Sequence, residues 1–168
     1  TEIGRSRGVD SYDAAFDLLI EEGEEMGSLL WSSKAFREDD IIMCLQQPEC
    51  AVISDTTALA PYGALKNNIG SISGYGWAAR FFQDYVNDKK ILTLTEAIRR
   101  ISSLPAERLG LIKRGQLKKT FYADICVFDP QKIKNNCDLK NLKTYPSGIE
   151  HVLVNGIFAV KNGNRTEF

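Results

Sequence analysis

The spacing of apolar residues changes once along this chain, and that change limits the available folds more than any single residue does. Up to Gly110 the apolar positions recur at helical spacing, and after Gly115 they alternate. A three-to-four-residue period gathers side chains on one face of a helix, whereas alternation gathers them on one face of a strand. Two-part organisation follows: α/β units over residues 1–110 and a small β-structure over 111–168. With 168 residues, 43% hydrophobic and 26% charged, the chain has the makings of a core. Domains of this size bury roughly two-thirds of the surface that their unfolded chains expose.

Local signals place the elements. In SYDAAFDLLIEEGE, Ala15, Leu18 and Leu19 recur at helical spacing, with Asp10 or Ser11 able to cap the start and Gly23 the end, so a helix is predicted over 11–22. GSLLWSS reads as a short strand, and the acids of REDDIIMCLQQP suit a helix N-terminus that stops before Pro48. CAVISD reads as a compact apolar strand that ends at Asp55. From Thr56 to Gly76 the composition is aperiodic and rich in Gly, Ser, Asn and Tyr, which predicts a long loop facing substrate. AARFFQDYVNDK reads as a helix. Thr93 and Glu96 have capping-box spacing for the next one, and Ser103 is positioned to cap a short last helix ending at Gly110. ADICVFD, GIEHVLVNG and IFAVKNG alternate as strands, and Asn155–Gly156 predicts a tight hairpin, because both central residues of such a turn need positive φ.

An acid at the C-terminal end of a strand, among alternating helices, stands where α/β barrels place their chemistry. Asp55 therefore has two readings, a catalytic carboxylate or a cap on its own turn, and position alone favours the cap. Tyr62, Tyr75, Trp77 and Arg80 lie in or beside the long loop and either line a ligand pocket or pack the loop down. Cys44, Cys50, Cys126 and Cys137 are scattered, and His151 has no acid or cysteine at ligand spacing, so no metal site is expected within the chain. The cysteines read as reduced, buried thiols of a cytoplasmic protein. With 21 basic and 22 acidic side chains and no basic face, neither nucleic acid nor an anionic membrane is an expected partner. The first residue is Thr1 rather than methionine, which suggests a piece of a longer chain.

The ordered blocks LTLTEAIRRISSLPAERLGL, KRGQLKKTFYADICVFDP and YPSGIEHVLVNGIFAVKNG, with ISD upstream, resemble the C-terminal signature of D-aminoacylases and related N-acyl-D-amino-acid deacylases. The resemblance runs from about Asp13 to Gly163. It implies the C-terminal part of a (β/α) amidohydrolase barrel over 1–110, followed by a small β-sandwich over 111–168. It also implies hydrolysis of a small-molecule amide, with zinc in the full-length enzyme and Asp55 as proton shuttle. Tyr75 and Arg80 become substrate-binding candidates. The family's metal ligands lie on earlier barrel strands, so the chain alone is expected to hold no metal and to be inactive. A partial barrel also leaves apolar faces uncovered, and a homo-oligomer is expected. Two positions depart from the pattern. Ser71-Ile72-Ser73-Gly74-Tyr75-Gly76 stands where the family often has His-Pro-Arg-x-Tyr-Gly, so the substrate-carboxylate arginine is missing. Thr120 stands where a glycine is usual, a change expected to affect only local backbone freedom. The alternative is a non-catalytic domain that packs on, or completes, a separate barrel partner.

Overall fold

The computed structural model describes residues 1–28, 36–56, 60–66 and 71–167. These form two compact units, Thr1–Ser33 and Lys34–Phe168.

The first unit is a helical pair. Helix α1 (Glu2–Arg7) starts at Thr1, whose Oγ1 accepts from the Gly4 amide at 3.1 Å, and it ends at Gly8 in the left-handed region. Helix α2 (Ser11–Glu22) starts at Asp10, whose carboxylate accepts from the Tyr12 and Asp13 amides, and it closes at Gly23. That is the helix read from the sequence, with Asp10 rather than Ser11 as its cap. Helix α1 was not anticipated: within its six residues only Ile3 is a large apolar side chain, too little for a period. Arg7 and Glu21 join the two helices through a forked ion pair at 2.7 and 2.9 Å. A 3₁₀ turn spans Gly23–Ser28. The strand expected in GSLLWSS falls on residues that lie mostly outside those described.

In the second unit, α3 (Glu38–Leu45) opens on three acids that favour the positive end of the helix dipole. Helix α4 (Ile72–Phe81) widens into a π-helical stretch, Phe82–Asp88, and α5 (Leu94–Ile101) and α6 (Ser103–Arg108) follow. Strands β1 (Ile125–Phe128), β2 (Ile149–Val154), β3 (Ile157–Lys161) and β4 (Asn164–Arg165) form one antiparallel sheet in sequence order. The β2–β3 turn is the expected one, with φ of 51° at Asn155 and 84° at Gly156. The Asp124 carboxylate fastens this turn to the start of β1 by accepting from the Asn155 amide at 2.8 Å.

Helices and sheet share one core. Phe81, Phe82, Leu92 and Ala97 are buried with Leu45 and Ile133, and Phe128 and Ile149 of the sheet pack against them. Phe82 lies 5.1 Å from Phe128, ring centre to ring centre. Asn87 donates to the Pro130 carbonyl at 2.7 Å, and Gln83 Oε1 accepts from the Asn135 amide at 3.3 Å.

Three expectations are corrected. CAVISD does not form a strand: residues 50–56 are irregular, because a strand exists only through its neighbours and none of the described residues runs alongside in a ladder. The loop expected up to Gly76 ends at Ser71, since α4 begins at Ile72 despite Gly74 and Gly76. Each glycine costs a helix about 1 kcal/mol relative to alanine, and tertiary packing overrides that cost. A Cβ on Gly76 would lie 1.8 Å from Asn135 Oδ1, so glycine is what lets the 130–137 segment approach the helix. Finally, Ser103 lies inside α6; the capping position is Ser102, which makes no side-chain cap bond.

Candidate active site around Asp55

The segment leading to Asp55 is held by α5. Arg100, only 3% exposed, is the buried charged residue of the described core. Its Nε donates to Glu96 Oε1 at 2.8 Å and its Nη1 to the Cys50 carbonyl at 3.3 Å. Its own carbonyl accepts from the Val52 amide at 3.0 Å. Arg99 pairs with both carboxylate oxygens of Glu96 and donates to the Pro48 carbonyl. Hydrogen bonds from Arg99 and then Arg100 hold the Glu96 carboxyl down to about 2. Thr93 caps α5 by accepting from the Glu96 amide at 3.2 Å. The Thr93–Glu96 spacing thus marks the helix start as expected, while the glutamate turns to the two arginines.

Beyond Val52 the chain comes to the surface. Ile53 is 74% exposed, and Asp55 is exposed with φ of 44°, a left-handed conformation that aspartate tolerates better than most residues. Its carboxylate makes no hydrogen bond or ion pair with the described residues. Thr56 Oγ1 lies 3.1 Å from Ser71 Oγ, which lies 2.9 Å from Ser73 Oγ. A chain of three hydroxyls thus connects the residue after Asp55 to the start of α4. Sequence reasoning missed these hydroxyls and Arg100; the Glu96–Arg100 spacing of i,i+4 was the available signal for the latter.

Tyr75 sits on α4, its ring edge-on to Tyr145 at 5.1 Å, and its Oη is buried without a hydrogen-bond partner among the described residues. Burial, followed by the neighbouring Tyr145, pushes its phenol upward. Arg80 is exposed and pairs with Asp84 at 3.1 Å. No described contact joins Asp55, Tyr75 and Arg80 to one another. Tyr62 lies under the Arg165 guanidinium, 3.6 Å from ring centre to carbon.

His151 accepts from the Asn162 amide and lies edge-on to Phe158. All four cysteines are free thiols; Cys137 is buried, but Cys44 and Cys126 are exposed, contrary to the expectation of buried thiols. Among the described residues no three His, Cys, Asp or Glu side chains gather closely enough to hold a metal ion. None of the described helices is long and apolar enough to cross a membrane.

An α/β arrangement with a terminal antiparallel sheet is shared with solved hydrolases. The structure resembles a D-aminoacylase that defines a subset of amidohydrolases, with a TM-score of 0.77 and 23% identity over 99% of this chain and 32% of that one. It also resembles the N-acyl-D-glutamate deacylase of Bordetella bronchiseptica, solved with zinc and a phosphonate mimic of the tetrahedral intermediate. There the TM-score is 0.72 with 26% identity over 98% of this chain and 32% of that one. The likeness is one of fold, to about a third of each of these longer chains. No family model matches. In sequence, the N-acyl-D-glutamate deacylase of Alcaligenes xylosoxydans xylosoxydans is 37% identical over 82 residues, 49% of this chain. The chain is a relative of the D-aminoacylases and N-acyl-D-amino-acid deacylases, matching their C-terminal portion. It spans 17% of the length of that curated relative.

Proposed function

We propose that this chain is the C-terminal portion of a metal-dependent amidohydrolase that cleaves an N-acyl (D-)amino acid or a related amide, with Asp55 carrying the proton. The observation that supports this is an exposed carboxylate with no hydrogen bond or ion pair to the described residues, on a residue of left-handed backbone whose approach is anchored to α5. In hydrolysis, water oxygen attacks the amide carbon, the C–N bond breaks, and one proton must pass from water to the departing nitrogen. A carboxylate within reach of both atoms takes that proton and returns it. Zinc, as in the Bordetella relative, would acidify the water. The described residues do not form its ligand set, so its ligands are assigned to the rest of the enzyme and no step here runs through it.

Tyr75 and Arg80 are proposed substrate-contacting groups, Tyr75 through a phenol with no hydrogen-bond partner among the described residues and Arg80 through an exposed guanidinium. Residues 1–110 are assigned to the end of the barrel and 111–168 to a small β-sandwich, and a cytoplasmic enzyme is the setting. The second reading is a non-catalytic domain that packs on, or completes, a separate barrel partner.

One substitution separates the two readings. In the complete zinc-loaded enzyme, Asp55→Asn is expected to lower kcat on N-acyl-D-amino acids by about 10²–10⁴-fold, the usual contribution of a positioned acid–base group. Turnover at the wild-type rate would remove the catalytic reading. The 168-residue chain alone is expected to be inactive with added zinc or cobalt.

A further inference from the structure

We infer that Arg100, with Glu96 as its counter-ion, is a positioning residue for Asp55; the inference rests on the proton-carrier reading above. Burying a guanidinium is costly, and well-packed apolar residues often serve stability equally well or better. What Arg100 supplies that an apolar residue cannot is direction. Its side chain binds the Cys50 carbonyl and its backbone carbonyl receives the Val52 amide, so two consecutive anchors fix both the place and the twist of the chain. Arg99 adds a third at the Pro48 carbonyl. Among the described residues, these bonds are the polar anchors that reach segment 48–52 from elsewhere in the chain. That segment has no ladder of its own, and Asp55 stands three residues beyond the last anchor. Glu96 fixes the device in turn: it engages Arg99 and Arg100 together and sits one turn earlier on the same helix.

The test uses Arg100→Lys, which keeps the charge beside Glu96 but lacks the fork that reaches two acceptors at once, and Glu96→Gln, which leaves the apolar core untouched. In the complete enzyme, Arg100→Lys is expected to lower kcat at least about tenfold with KM changed less than about twofold, the signature of a misplaced reacting group. Glu96→Gln is expected to act in the same direction and less strongly. In both variants, amide exchange at 52–55 is expected to accelerate while exchange across α4 stays at the wild-type rate. Unchanged kcat in Arg100→Lys, or exchange that rises uniformly over both segments, would overturn the assignment. If Asp55→Asn leaves turnover intact, the proton-carrier reading fails by itself, and selective exchange at 52–55 still decides whether the clamp exists.

Discussion

Thr120 holds a backbone torsion that β-branched residues avoid, with φ of 72° on an exposed turn. Such a torsion suits glycine, because without a Cβ the left-handed region costs nothing. A non-glycine residue in a sparsely populated region costs on the order of 1–3 kcal/mol, while glycine adds unfolded-state entropy worth roughly 0.5–1 kcal/mol. The two effects leave a surplus, so Thr120→Gly is expected to raise stability by about 1 kcal/mol, read as a higher denaturant midpoint at constant slope. An unchanged or lower midpoint would mean that the turn relaxes its strain elsewhere. Asp55 holds the same kind of torsion, but its short polar side chain tolerates it better.

Helix α5 is the element most tied to charge. The Glu96 carboxyl is held at about 2, below its ordinary 4.5, by Arg99 and then Arg100. A folded-state value below the unfolded one means that the unfolded chain binds the proton first on acidification. The stability from this group is therefore fully present above 4.5 and is lost as pH falls toward about 2. Wild-type protein should lose more stability than Glu96→Gln across that window, in midpoints measured at successive pH values; parallel losses would contradict the pairing. The same helix shows what could be read in advance. Its start at Thr93, the cap of α2 at Asp10 and the Asn155–Gly156 turn were legible because each depends on residues at most three positions apart. Segment 50–55 was misread as a strand because its composition is strand-like, whereas its pairing depends on chain that composition does not reveal. The hydroxyl chain from Thr56 to Ser71 and the grip of Arg100 on Cys50 span 15 and 50 residues, beyond any local pattern. Helix α4 was half hidden because Gly74 and Gly76 look like loop until Asn135 is seen against Gly76.

At the scale of the molecule, large apolar side chains stand exposed in several places, one of them the connection between α6 and β1. Leu109 is 73% exposed, Ile112 80% and Leu117 82%, all between α6 and β1. Exposed apolar side chains favour association when a partner surface covers them. The 168-residue chain is expected to form a dimer or a larger species at micromolar concentration by light scattering, and Ile112→Lys with Leu117→Lys to shift it toward monomer. A monomeric mass for the unaltered chain would remove that expectation. The shared core has its own consequence for how such proteins can be recombined. Ile133 is buried with Phe82, and Phe128 and Ile149 close over the same cluster, so the last third of the chain completes a helical layer that α4 and α5 contribute. A gene fusion cut near residue 110 would separate two layers of one hydrophobic interior and leave both partners with raw faces. The strand-bearing tail is thus not a portable cassette, and a viable graft must take α4 and α5 along with it.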